Sequence, residues 1–261
     1  LTQLSPKIKR NLWHWWYQLI AKSYQKPDFK FMNYGFCDLN AELSPLKLKG
    51  EDDNYRYCIQ LYHYVATATD VKGKQVLEVG SGRGGGAAYI ASYLEPGQMI
   101  GVDFAEQNVQ LSRKIHQLSN LSFQQGDAEA LPFEDNTFDL VLNVESSHCY
   151  GSMTKFVQEV YRVLKSGGIF SWADLRLIDE VESLQQIFAQ SGLEQLKSAD
   201  ITPNVLQALE LVHEPKQSFI QTYVPSILKH SIQEFAAVKD SQMFTGFQTG
   251  KIVYLSYVFR K

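Results

Sequence analysis

Between residues 74 and 175 the chain alternates short apolar, β-branched runs with stretches of helical periodicity. The runs are "KQVLEVG" (74–80), "QMIGVDF" (98–104), "LSFQQGDA" (121–128), "FDLVLNV" (138–144) and "IFSWADL" (169–175). Between them lie "GGAAYIASYL", "AEQNVQLSRKIHQL" and "MTKFVQEVYRVLKSGG", the last read as a helix closed by glycine. Strands alternating with helices predict an α/β fold with a doubly wound, mostly parallel sheet. Downstream, the pattern predicts a helix near 179–191 and a strand "LEQLKSADI" (193–201). About fifty mostly helical residues rich in Phe, Tyr and Leu follow, and "KIVYLSYVFRK" (251–261) reads as a last strand. Upstream, Leu12, Trp15, Trp16, Leu19, Ile20 and Tyr24 recur at spacings of three and four, one apolar stripe on a helix. The chain thus divides into an N-terminal helical, lid-like segment (1–70) and a main domain (71–261), with 201–249 as an insertion over the ligand cleft.

Composition narrows the class. The chain has 261 residues, 44% of them hydrophobic, enough for a buried core. A formal charge of −3 and the lack of a basic cluster argue against nucleic acid as partner. No apolar run approaches the ~20 residues that cross a bilayer, and the N-terminal stretch does not read as a secretory signal. Cys37, Cys58 and Cys149 are odd in number and far apart, which suits reduced thiols in a cytoplasm. The six scattered histidines carry no metal spacing, so no metal site is expected.

The chemistry starts at "EVGSGRGGG" (78–86), between the first strand and its helix. Glycines there let the backbone turn sharply and approach a ligand. Gly80, Gly82 and Gly85 also satisfy the dinucleotide G-x-G-x-x-G spacing, so the loop alone is a weak signal. Asp103 ends the second strand, where a carboxylate can accept ribose hydroxyls. "GDAEALPF" (126–133) follows the third, placing Asp127 and the Ala128 N–H within reach of a base, and "LKSGG" (164–168) precedes the fifth.

In that order, E-x-G-x-G-x-G at Glu78, Gly80, Gly82 and Gly84, the acidic end of strand two, G-D-A, F-D and L-K-x-G-G resemble a class I S-adenosylmethionine (SAM) methyltransferase. The resemblance implies a seven-stranded Rossmann-like sheet with an antiparallel last strand and SAM across its C-terminal edge. It implies cofactor contacts from Glu78, Gly80, Gly82, Gly84, Asp103, Phe104, Gly126, Asp127, Ala128 and Asn143. Asp103 would hold the ribose, Phe104 would pack on the adenine, and Glu78 would support the loop or the cofactor's ammonium. Tyr34, in "FMNYGF", is read either as closing over the sulfonium from the N-terminal segment or as aromatic packing between lid and core. "FMNYGF", "GAAYIA", "GDAEALPF" and "NVESSHCY" are further similar to the phthiotriol and phenolphthiotriol dimycocerosate methyltransferases and to rebeccamycin-type sugar O-methyltransferases.

"NVESSHCYG" (143–151) carries the candidate catalyst. Methyl transfer to oxygen is an in-line displacement, so alignment matters most. An alcohol keeps its proton at neutral pH, and a base near pKa 6.5 suits its removal. In a sheet of order 3-2-1-4-5, strands four and five are neighbours with their C-terminal ends at the cleft. His148 follows strand four and Asp174 ends strand five, so the two are expected to meet as base and orienter. This placement also resembles the base pair of the sugar O-methyltransferases. Glu145 is either a second cleft carboxylate or a rim residue, and Cys149 is read as pocket wall.

The acceptor expected is a hydrophobic hydroxylated small molecule, such as a lipid, a polyketide or a glycosylated natural product. Residues 201–249 would form its roof; a second packed layer or a homodimer interface is their other use. Three rivals remain. Tyr161 and Lys165 have the Y-x-x-x-K spacing of short-chain dehydrogenases, without that family's glycine loop. A non-catalytic SAM-fold module and a methyltransferase acting on carbon are the others.

Overall fold

The computed structural model describes residues 30–40 and 46–261. The stripe expected over residues 12–24 lies outside the described residues. After a 3-10 turn at Gly50–Tyr55 come α1 (Arg56–Ala66), β1 (Gln75–Val79), α2 (Gly85–Tyr93), β2 (Gln98–Asp103), α3 (Glu106–Ile115), β3 (Leu121–Gln125) and β4 (Phe138–Val144). A 3-10 turn at Ser147–Cys149 leads to α4 (Met153–Val163), β5 (Leu164–Leu177), α5 (Val181–Ala189) and β6 (Glu194–Asp200). Four helices, α6 (Thr202–Leu211), α7 (His213–Tyr223), α8 (Ser226–Phe235) and α9 (Gln242–Gln248), precede β7 (Ile252–Arg260).

The seven strands form one sheet in the order β3-β2-β1-β4-β5-β7-β6, with β7 antiparallel to both neighbours. The α/β sheet and its reversed last strand are those expected. Central strands read as near-continuous apolar runs because helices cover both faces. One layer packs α1, α2 and α6 on Val76, Leu140 and Leu142; the other packs α4 and α5 on Leu77, Val141, Phe170 and Trp172. β6 is mostly exposed and reads Glu-Gln-Leu-Lys-Ser-Ala-Asp, a polar edge that discourages pairing with other chains.

One boundary differs from the expectation. "LKSGG" does not close α4; it opens β5. α4 ends at Val163, where Leu164 turns extended and pairs with Phe138. A register shift then carries the ladder to Leu140 and Ile169, and Gly167, at φ +77°, donates its N–H to Lys261 O. The glycines serve a strand irregularity at the sheet's far end, which a helix-capping reading cannot distinguish in sequence.

Candidate active site

Each strand of the parallel half ends on the same edge, and the loops leaving β1, β2, β3 and β4 border one cleft of about 1090 Å³, its open mouth included. Gly80, Ser81 and Gly82 come from the first loop, Asp103 and Phe104 from the second, and Gly126, Asp127 and Ala128 from the third. Val144, Glu145, Ser146, Cys149 and Tyr150 come from the fourth, and residues 30–33 cross from the N-terminal segment.

Asp103 organises the floor. Its Oδ2 accepts the Gly82 N–H at 2.8 Å; its Oδ1 accepts the Ala105 N–H at 2.9 Å and the Asn108 side chain at 3.1 Å. Burial raises its pKa against these three donors. Gly82 sits at φ +52°, and a Cβ there would meet only Met32, at 3.4 Å, so this backbone borders the space itself. Phe104 is 42% exposed at the cleft, a flat apolar wall. Asp127 accepts the Glu129 N–H at 2.9 Å, which shapes the third loop.

Four residues named from sequence stand elsewhere. Gly84 is outside the lining: at φ +77° it admits the Phe123 ring, which a Cβ would approach to 2.5 Å, so it serves helix–sheet packing. Glu78 is fully buried below the loop, where its Oε1 accepts from Tyr62 at 2.7 Å, and burial pushes its pKa up to about 8. Asn143 is also buried beneath the cleft; its Nδ2 reaches Val79 O, Ser146 Oγ and the Tyr150 hydroxyl at 2.8 to 3.0 Å. Tyr34 is 8% exposed and stands edge-on to Phe247 at 5.8 Å, the packing alternative. Side-chain parity explains Asn143: residues on one strand alternate between faces, and sequence position alone does not say which atom reaches the rim.

His148 and Asp174 meet. His148 Nδ1 is 2.7 Å from Asp174 Oδ1, and the His148 N–H donates to Asp174 Oδ2 at 2.8 Å. Ser147 Oγ donates to Oδ2 at 2.7 Å and the Leu175 N–H to Oδ1 at 2.8 Å. Arg176 stands 3.1 Å from Oδ2. Burial opposes the Asp174 charge, but His148 and Arg176 outweigh it and hold this carboxyl well below the usual range. Burial likewise disfavours a charged imidazole; the Cys149 sulfur and the Asp174 carboxylate prevail and raise His148 well above the ordinary histidine value. Its side chain is 18% exposed. His148 itself does not border the cleft, whereas Glu145, Ser146, Cys149 and Tyr150 do.

Glu145, left open in the sequence, is a cleft carboxyl. Its backbone sits at φ +48°, in the left-handed region that non-glycine residues rarely occupy. Its Oε2 accepts from the Tyr34 N–H and the Tyr254 hydroxyl, both at 2.9 Å. Burial pushes its pKa up to about 8 against those two donors and His148. Sequence reasoning missed Tyr254, which reaches Glu145 from β7, and Ser147 and Arg176, which meet at Asp174 because β4 and β5 are neighbours. None of residues 201–249 borders the cleft, so the expected roof is not over this cavity; α6 and α9 pack on β7 instead. Tyr161 and Lys165 are also away from it: Lys261 covers the Tyr161 ring at 4.6 Å, and Lys165 pairs with Asp139 at 2.9 Å. The dehydrogenase reading therefore has no geometry to act through. Among the described residues, no helix is long and apolar enough to cross a membrane, and no His/Cys/Asp/Glu group is arranged to hold a metal.

Residues 70–223 match the family model described as a methyltransferase domain. A phthiotriol/phenolphthiotriol dimycocerosates methyltransferase from Mycobacterium tuberculosis (strain ATCC 25618 / H37Rv) is 36% identical over 98% of this chain and 94% of its own length. A fatty-acid O-methyltransferase from Mycolicibacterium smegmatis (strain ATCC 700084 / mc(2)155) is 35% identical over 91% of this chain and 86% of its own. In structure, a putative sarcosine dimethylglycine methyltransferase from Galdieria sulphuraria superposes with a TM-score of 0.71 at 15% identity, covering 89% of this chain and 94% of that one.

Proposed function

The chain belongs to the methyltransferase family, and from that premise we propose that it moves the methyl group of SAM onto a hydroxyl oxygen of a hydrophobic, lipid-like acceptor, with His148 as general base. The residues present fit the donor. Gly82 leaves its backbone bare toward the cleft, Asp103 stands at the ribose position of such sheets, and Phe104 offers a flat exposed face. Gly80, Ser81, Gly82, Asp103, Phe104, Gly126, Asp127 and Ala128 would hold it; Glu78 and Asn143 would act from beneath, by fixing the β1 and β4 ends. Bound there, the donor supplies an electrophilic methyl carbon and a positive charge.

The chain's own part is to position a nucleophile and take its proton. Asp174 engages Nδ1, so in this reading Nε2 is the nitrogen that takes the hydroxyl proton, and the buried carboxylate stabilises the imidazolium that results. A fixed cation nearby lowers the imidazole's pKa, so a filled cleft favours the neutral, proton-accepting ring. A lipid-like acceptor is supported by the names of the curated relatives, one of which methylates a fatty acid oxygen by its name.

The observation that carries this reading is the 2.7 Å contact between a fully buried Asp174 and His148, the residue next to the cleft-lining Cys149. The test is incubation with methyl-labelled SAM and a panel of long-chain alcohols, hydroxylated lipids and aromatic alcohols, with product connectivity read by NMR. A new O-methyl group supports the reading. A C-methyl product overturns the oxygen assignment, and SAM binding with no transfer to any acceptor overturns catalysis.

A further inference from the structure

We propose that Arg176, through Ser147, is a positioning residue that sets the protonation range of the His148–Asp174 pair. This inference rests on His148 being the base and adds what tunes it. β5 carries Trp172, Asp174 and Arg176 at alternate positions, so their side chains share one face. Ser147, one residue before the histidine, lies among them. Its Oγ accepts from Trp172 Nε1 at 2.9 Å and from Arg176 at 2.7 Å, and donates to Asp174 Oδ2 at 2.7 Å. Both Ser147 and Arg176 are buried, at 4% and 7% exposure, so water does not screen the arrangement.

The Arg176 guanidinium has no use for the polar surface it forgoes unless the ion it meets is Asp174. It lies 3.1 Å from Oδ2, donates to Leu175 O at 2.6 Å, touches the Met153 sulfur at 3.7 Å and packs over the Trp172 ring at 5.1 Å. A planar fork engaged on three sides keeps its charge beside the carboxylate. Its effect on the carboxylate is divided by atom. Oδ2 is occupied by Ser147, the His148 N–H and Arg176; Oδ1 faces the imidazole and the Leu175 N–H. The imidazole therefore feels an anion already half-neutralised from behind.

Without that cation, Asp174 would stabilise the imidazolium more strongly, and the ring would release its proton only at higher pH. Among the described residues, Cys149 on its own turn and Glu145 following β4 also act on His148. Tyr34 from the N-terminal segment and Tyr254 from β7 hydrogen-bond Glu145, and Lys216 from α7 feels its charge. None of these contacts Asp174 Oδ2, whereas Arg176 meets it directly at 3.1 Å.

The experiment is a pH titration of the full chain. The His148 ring is followed by NMR alongside the pH dependence of kcat/KM, for the unchanged protein, Arg176→Met, Arg176→Lys and Ser147→Ala. Arg176→Met is expected to move both midpoints up by about one pH unit, the shift a nearby opposite charge produces on its partner. Arg176→Lys keeps the charge and is expected to hold the midpoints near the original. Unmoved midpoints in folded Arg176→Met overturn the proposal, since a purely structural residue would lower stability without shifting a titration. If Arg176→Met does not fold, Ser147→Ala decides: it removes one donor from Oδ2, and an unmoved His148 midpoint there overturns the proposal equally. The base assignment fails separately, by normal turnover in His148→Ala, while the ring titration in the Arg176 variants still reads the inference.

Discussion

An imidazole takes a proton only when neutral, yet Asp174 and Cys149 hold His148 above its ordinary value. The sign of the pH dependence follows. A base with a raised pKa is charged at low pH, so kcat/KM should climb as pH rises and level off above the usual histidine range. Asp174→Asn removes the anion, and its profile should break at lower pH while the maximal rate drops, because the ring is no longer held in one tautomer. A pH series on the two proteins checks both directions; an unshifted break would sink the pairing. His148→Ala should lower kcat by about 10²- to 10⁴-fold, the usual contribution of a positioned base, with SAM affinity by calorimetry nearly unchanged. At this scale the meeting of His148 and Asp174 was legible, because the topology makes β4 and β5 neighbours, although β5 runs on past Asp174 to Leu177 instead of ending there as expected. Asn143 and Tyr34 were not. Their types suit a cofactor contact, but strand parity turns one downward and Phe247 claims the other. Arg176 and Ser147 gave no signal, since a buried arginine reads like any surface charge until the sheet is assembled.

The elements were legible wherever apolar period and glycine punctuation agreed, as from β1 to β4. They were misread where one glycine pair served two structures: "LKSGG" caps a helix in one reading and bends β5 in the other. Two glycines at the same φ of +77° separate strain from crowding. A Cβ on Gly84 would lie 2.5 Å from the Phe123 ring and 3.0 Å from Ser112 Oγ, whereas one on Gly167 would meet nothing within 4 Å. Both alanine variants carry the left-handed backbone penalty, roughly 1–2 kcal/mol. Gly84→Ala should add about 1–3 kcal/mol of overpacking and misalign the loop ahead of α2. Urea unfolding should therefore rank Gly84→Ala well below Gly167→Ala, and equal midpoints would mean that α2 can shift away from β3 freely.

On the scale of the whole molecule, the C-terminal edge of the sheet gathers groups whose charge states oppose the solvent's preference. Glu78 below the glycine loop and Glu145 on the cleft wall are both pushed up to about 8 by burial. Each binds its proton more tightly folded than unfolded. Their stabilising contribution is complete below the unfolded carboxyl range and is lost as pH rises toward 8, at no more than about 1.4 kcal/mol per pH unit for each group. His148 acts in the same direction, losing its contribution as pH passes its raised value. Asp174, held low, acts oppositely: its contribution is present above the ordinary carboxyl range and fades only in strong acid. The ligand-free protein should accordingly be most stable near pH 5 and lose Tm steadily up to pH 8, the direction in which His148 gives up its proton. Glu78→Gln keeps a hydrogen-bonding side chain with no titration, so its Tm should depend less steeply on pH than that of the unchanged protein. Thermal scans at constant ionic strength from pH 5 to 9 measure the two slopes. Parallel curves would show that Glu78 is already ionised in the folded state, its charge met by Tyr62 and the Ala87 N–H.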